Sequence, residues 1–294
     1  MEMPFKVEIA ELSRLALMAQ NEAKNFHAVM SPDFIVESLF KVGTSAGGRR
    51  PKAVINVNPK SGECYSGQVS APLPGFVPMI IKFDEHSEVP TTRIEYSYYL
   101  MALDAELKMM PSSLIRGENE VHFLTERFDR RGNEKIHVQT LAAMVPQSSS
   151  YEDLFEAAIR IGIGPDELKQ LFKQMVMNVI GGNVDDHNKN FSFIMERNGI
   201  WHVAPAYDYT FAIDTSGPFY VNYHCMTVNG KNQYISKADL LEVASRYDIK
   251  SATAVVENAV EVAGNYRRYA LQAGVPESWI VKIEEEINDR ISQL

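Results

Sequence analysis

GGNVDDHNKNFSFIMERNGIWHVAPAYDYT, Gly181 to Thr210, is the stretch on which the reading of this chain turns. Just upstream, Leu171, Phe172, Met175, Val176, Val179 and Ile180 recur at i, i+4 and i+8. That spacing makes one buried face of a helix, and Gly181 with Gly182 predicts its end. Asp185 to Lys189 is then a loop. Phe191 to Met195 and Ile200 to Ala204 read as two short strands around Asn198 and Gly199, the dipeptide favoured in a two-residue type I′ turn. With Arg197 opposite Ile200, Asn190 falls across from Tyr207 and one step from Asp208, within the roughly 5 to 8 Å that cross-strand neighbours span. An amide oxygen and a carboxylate so placed, with Asp185 a few residues upstream, are hard ligands suited to Mg²⁺ on a nucleoside triphosphate. The bland alternative is a set of solvated loop residues, and taken alone Asp185, Asp186 and Asn188 favour it. A metallohydrolase is the weaker reading: of the seven histidines only His187 lies in the cluster, and none shows HxH or HExxH spacing.

Working outward, the sequence is helical at Glu8 to Lys24 and again after Pro32, then runs through GTSAGGRRPK (Gly43 to Lys52) into the β-rich AVINVN, a turn at Pro59 to Gly62 and the strand PMIIKF (Pro78 to Phe83). Ser66 to Val77, rich in Pro, Gly and Ser, reads as a connecting loop. GTSAGG is either an ordinary turn or a place where backbone N–H groups approach phosphate; it is not a P-loop. Lys82, flanked by apolar residues, is either a snorkelling edge residue or a buried cation that needs an anion. Glu95, on a predicted helix Arg93 to Met109, either faces solvent or pairs with Lys82. A strand Val121 to Thr125 leads into ERFDR, and from Gln139 onward the chain reads as mainly helical, with helices at Tyr151 to Ile161, Pro165 to Ile180, Lys237 to Tyr247, Ser251 to Gln272 and Glu277 to Ser292. The expected fold is α+β and two-lobed, with a mixed β-sheet N-lobe over 1–128 and a mainly helical C-lobe over 129–294.

Composition narrows the function classes. The chain has 294 residues, 45% of them hydrophobic, enough to bury a sizeable core. Its net charge of −9 argues against a broad phosphate-binding surface, so DNA contact is expected only through a partner. Two distant cysteines, Cys64 and Cys225, fit neither a disulfide framework nor a zinc site and point to a reducing, cytoplasmic setting. No uncharged run approaches the roughly 18 residues that span a bilayer, and no membrane role is expected.

In order, VGTSAGGRRPK, IIKF, TERFDRRG, GGNVDDHNKNFSF and PAYDYT resemble the motifs of HipA-like Ser/Thr kinase toxins, a likeness that covers about residues 40 to 215. The resemblance implies a protein-kinase-like fold, ATP and Mg²⁺, and a set of site residues. Asp185 is the catalytic aspartate and Lys189 stabilises the transferred phosphate. Asn190 and Asp208 are the metal ligands, and His187 and Tyr207 line the nucleotide. Ser45, Ala46, Gly47, Gly48 and Lys52 form the phosphate-side loop, Lys82 is the nucleotide-binding lysine with Glu95 as its partner, and Glu126, Arg127 and Phe128 are the hinge. Ser45, with Thr44 second, is the implied site of self-phosphorylation. The implied partners are a helix-turn-helix antitoxin of the HipB type and a protein substrate such as an aminoacyl-tRNA synthetase. The short stretch before the Gly-rich loop resembles the short, HipT-like members, in which a separate small protein supplies an N-terminal subdomain, or else a truncated chain. GGRRPK also lacks the glutamine and glutamate that many members carry before the lysine. A catalytically weak nucleotide-binding module that holds a DNA-binding repressor is the alternative function.

Overall fold

The computed structural model describes residues 6–24, 50–67, 74–85, 88–117, 120–132, 134–214 and 222–294. The chain divides into two compact units, one of Met1–Arg93 with Pro111–Lys135 and the other of Ile94–Met110 with Ile136–Leu294. The division thus falls after Lys135 where the sequence suggested 128, and Ile94–Met110 groups with the helical unit.

In the first unit, helix α1 (Ile9–Lys24) is followed by β1 (Lys52–Val57), β2 (Cys64–Ser66) and β3 (Val77–Lys82); helix α2 (Thr91–Asp104) starts here. β4 (Ser112–Arg116) and β5 (Val121–Glu126) complete a five-stranded antiparallel sheet of order β2-β1-β3-β5-β4. Alternation decides the faces, because successive strand residues point to opposite sides. Ile55, Val57, Met79, Ile81 and Phe83 share one core with Val7, Leu12 and Ala16 on and beside α1. A short ribbon of β6 (Arg130–Arg131) and β7 (Glu134–Lys135) ends the unit.

The second unit is mainly helical. β8 (His137–Thr140) leads into α3 (Leu141–Met144), α4 (Tyr151–Arg160) and α5 (Pro165–Gly181), then the hairpin β9 (Ser192–Met195) and β10 (Trp201–Val203). α6 (Lys237–Arg246), α7 (Ala252–Gly264), α8 (Tyr266–Ala273) and α9 (Glu277–Gln293) follow. α5 is the central helix: Leu171, Phe172, Met175, Val176, Val179 and Ile180 are all buried, at roughly 1.5 to 3 kcal/mol for each large apolar side chain. Two expectations need correction. The helix foreseen over Ser251 to Gln272 is broken at Asn265 into α7 and α8, Gly264 and Asn265 ending the first piece. β8, in a region read as turning helical, pairs with β9 to make a three-stranded sheet of order β10-β9-β8.

Candidate functional site

α5 ends as its glycines require. Gly182 caps it in the left-handed conformation (φ 66°), open to glycine without the usual Cβ penalty. The following loop is tied down residue by residue. The Asn183 amide donates to Asn178 Oδ1 (2.9 Å), and the Asn188 amide to the Ser148 carbonyl (3.0 Å) and hydroxyl (3.1 Å). Ala142 N–H donates to the Asn188 carbonyl (3.0 Å) and Leu141 N–H to that of Phe191 (2.8 Å). Asn190 is buried, and its amide nitrogen donates to the Asp185 carbonyl (2.8 Å). That bond turns the amide oxygen of Asn190 the other way. Within this frame the Asp185 carboxylate stays 68% exposed, 3.9 Å from His187 Nε2. An accessible carboxylate on a fully braced loop can act on an incoming hydroxyl without first being ordered. Lys189 is also exposed.

The hairpin after the loop departs from expectation. Trp201 pairs with Met195 and Val203 with Phe193, which puts Ile200 against Glu196 and makes Arg197–Asn198–Gly199 a three-residue turn. A type I′ turn needs positive φ at both central residues, and here only Gly199 has it (84°). Asn198 instead accepts the Ile200 N–H on its side chain (3.0 Å). The ladder ends where Ala204 N–H meets the Ser192 carbonyl (3.0 Å), and Ala206 N–H turns to Lys108 (2.8 Å). Asn190 is therefore not set opposite Tyr207 by strand register. The Tyr207 side chain closes the gap: its hydroxyl donates to the Lys189 carbonyl (2.7 Å) and sits 2.6 Å from Ser192 Oγ. Burial pushes this phenol far above its ordinary range, so it remains a donor. Next to it, Asp208 holds a left-handed backbone (φ 51°), which costs a non-glycine residue roughly 1 kcal/mol.

On the first unit, Lys82 is buried and lies on β3, the central strand, which removes the edge-residue alternative. Its Nζ stands 5.8 Å from the Phe123 ring centroid. Lys52 is its direct register partner on β1. Directly opposed residues share a face, so both ammonium groups lie on one side of the sheet. Glu126 ends β5, its carboxyl pushed up by burial, while Arg127 makes a double contact with Asp129 (2.8 and 2.7 Å). Phe128 is half-buried. Glu95, on the part of α2 that belongs to the second unit, is buried. Thr44, Ser45, Ala46, Gly47 and Gly48 lie outside the described residues.

In the second unit, Asn190 fits a hard cation such as Mg²⁺, since its amide oxygen is turned away from its own loop, and His187 Nδ1 is buried with no hydrogen-bond partner among the described residues. In the first unit, Lys52 and Lys82 put two ammonium groups on one face of the sheet, a chemistry that suits a polyanion such as a triphosphate. No three His, Cys, Asp or Glu side chains converge among the described residues as a metal cage would require.

Asp186, which taken alone reads as a solvated loop residue, has instead a fully buried carboxylate. Oδ2 accepts from the Tyr151 hydroxyl and from His224 Nδ1 (2.8 Å each), and Oδ1 from the N–H of Cys225 (2.8 Å). The only available signal was the Asp185–Asp186 doublet, in which neighbouring side chains need not face the same way.

Residues 44–293 match the family model described as the HipA-like C-terminal domain. No curated protein matches the chain. Among solved structures, HipA from the Shewanella oneidensis complex of HipA, HipB and operator DNA aligns with a TM-score of 0.66 at 15% identity, over 99% of this chain and 72% of that one. The Helicobacter pylori proinflammatory kinase CtkA aligns with a TM-score of 0.51 at 16% identity, over 76% and 89%. At these identities the likeness speaks for the fold, which is kinase-like and α+β. No described helix is long and apolar enough to cross a membrane.

Proposed function

Since the chain belongs to the HipA-like C-terminal domain family, we propose that it is a Mg-ATP-dependent serine/threonine protein kinase, the toxin of a toxin–antitoxin pair. The observation that carries this reading is the exposed Asp185 carboxylate on a loop that the Asn188 and Asn190 side chains tie down. Phosphoryl transfer asks a protein chiefly for alignment and charge neutralisation. Asp185 orients the acceptor hydroxyl and takes its proton; Lys189 neutralises charge on the group being transferred. Asn190 and Asp208 would hold Mg²⁺, and Lys82 and Lys52 the phosphates of ATP, with Glu95 positioning Lys82. Ser45 to Gly48 would cover the phosphates, and His187, Tyr207 and Glu126 to Phe128 would line the nucleoside. ATP supplies the phosphoryl group, and Mg²⁺ spreads the negative charge that builds as it moves.

The Shewanella protein was solved with HipB and operator DNA, which supports a helix-turn-helix partner here and DNA contact through it. The proposed targets are a translation component such as an aminoacyl-tRNA synthetase and, in self-phosphorylation, Ser45 or Thr44, all in the cytoplasm. The test is incubation with γ-labelled ATP and Mg²⁺. Wild type should label itself or a protein acceptor, and Asp185→Asn should lose about 10² to 10⁴ of that rate while still binding ATP. Nucleotide binding without transfer in wild type would make the chain a binding module instead.

A further inference from the structure

Asp186 has no part in the transfer just described, yet it is the most heavily hydrogen-bonded carboxylate near it. Besides the three donors already named, Met226 N–H approaches Oδ1 at 3.4 Å. We propose that Asp186 is the positioning residue for Asp185, and that it is held in place by a relay from the C-terminal helix through Arg290 and His224. This rests on the reading of Asp185 as the catalytic aspartate.

The direction of each bond follows from the chemistry of the groups. An arginine only donates, so Arg290 Nη1, 3.3 Å from His224 Nε2, requires that nitrogen to accept. The ring proton then sits on Nδ1, aimed at Asp186. The other Nη1 hydrogen is taken by the Val179 carbonyl in the last turn of α5 (3.2 Å), and Nε is fixed by Glu286 (2.9 Å). The Tyr151 hydroxyl accepts from the Asn178 amide (2.9 Å), which commits its own proton to Asp186. Burial and then the Asp186 charge push that phenol well up, so it stays a donor.

The consequence for Asp185 is geometric. Cys225 N–H lies 3.1 Å from the Val184 carbonyl and 2.8 Å from the Asp186 carboxylate, the residues on either side of Asp185. The Asp185 carbonyl is held in turn by Asn190. Its backbone is thus clamped before and after, and only the side chain is left to meet solvent. Losing the clamp lets the carboxylate drift, and a shift of about 1 Å in a reacting group costs up to roughly a hundredfold in rate.

The experiment measures labelling from γ-labelled ATP and Mg²⁺, of the full chain and of myelin basic protein as a generic acceptor, across ATP concentrations. Asp186→Asn and Arg290→Met should lower the saturating rate about ten- to a hundredfold while the half-saturating ATP concentration changes little. Arg290→Lys keeps a donor and should recover most of the rate. Ile283→Ala opens a cavity on the same helix and measures the effect of lost stability alone. Nitrogen-15 imidazole spectra of wild type should show His224 neutral with its proton on Nδ1, and Arg290→Met should lose that preference. Rates in Asp186→Asn and Arg290→Met no lower than in Ile283→Ala, or a His224 proton on Nε2 in wild type, would overturn the positioning role alone. Absence of any Asp185-dependent labelling overturns the kinase reading and the positioning role with it.

Discussion

Asp185 and Asp186 are chemically identical neighbours with opposite environments, one 68% exposed and one fully buried. The difference comes from their partners. Asp186 faces four donors, and a carboxylate can be buried only with such compensation; Asp185 is left to the solvent. Asp208 shows another residue-scale device, a left-handed backbone at a proposed metal ligand. Strain of this kind persists where surrounding structure enforces it. Asp208→Asn, which tolerates that backbone as Asp does, should therefore remove the protein's response to Mg-ATP. A ligand at about a hundred times its Kd raises stability by roughly 2.7 kcal/mol, and the variant should lose most of the part that depends on Mg²⁺. Thermal melts with ATP, with and without Mg²⁺, read this directly. An unchanged Mg²⁺-dependent shift would remove Asp208 from the metal site.

Among the elements, α5 was legible because its apolar residues keep an unbroken helical period and a glycine pair stops it. β4 and β8 were not: SSLIR and HVQT carry little apolar alternation, and each exists because a strand elsewhere in the sequence, β5 or β9, offers its edge. The hairpin was found but its register slipped by one, since whether Asn198 takes positive φ depends on local hydrogen bonds that composition does not encode. In the site, the residues of the loop could be singled out by kind, whereas the inward turn of Asp186 depends on His224 and Arg290, far along the chain. Gly182 ties these together, because a Cβ there would meet Arg290 Nε and Ile213 Cγ1 at 3.3 Å as well as a strained φ. Gly182→Ala should cost about 1 to 2 kcal/mol in denaturant melts, and a neutral result would mean the helix end tolerates another geometry. α6 makes a pH prediction. Burial alone would raise the Asp239 pKa, but Lys231, Ser236 and Asn229, bonded at 2.6 to 3.1 Å, hold it well below the usual carboxylate range. A folded-state pKa below the unfolded one stabilises the fold above the unfolded value and loses that contribution as pH falls beneath about 4. Asp239→Asn should lower stability by about 2 kcal/mol at neutral pH and flatten the acid limb; equal acid profiles would contradict the assigned partners.

For the whole molecule, each unit has its own apolar core, and the charge balance is set by composition more than by fold. A net charge of −9 weighs on how the chain can meet nucleic acid. Duplex DNA binding draws most of its non-specific affinity from neutralised phosphates, with Kd values of roughly 10⁻⁴ to 10⁻⁶ M at physiological salt for proteins that carry a basic face. An acidic chain should fall at or beyond the weak end of that range. The proposed kinase and antitoxin pairing requires this division of labour, the partner supplying the phosphate contacts and this chain supplying none. Fluorescence anisotropy with a labelled random-sequence duplex, titrated with the chain alone at several salt concentrations, should show no binding in the micromolar range and no salt slope to measure. Micromolar affinity that weakens steeply with added salt would locate a basic surface on this chain, and DNA contact would then no longer need a partner.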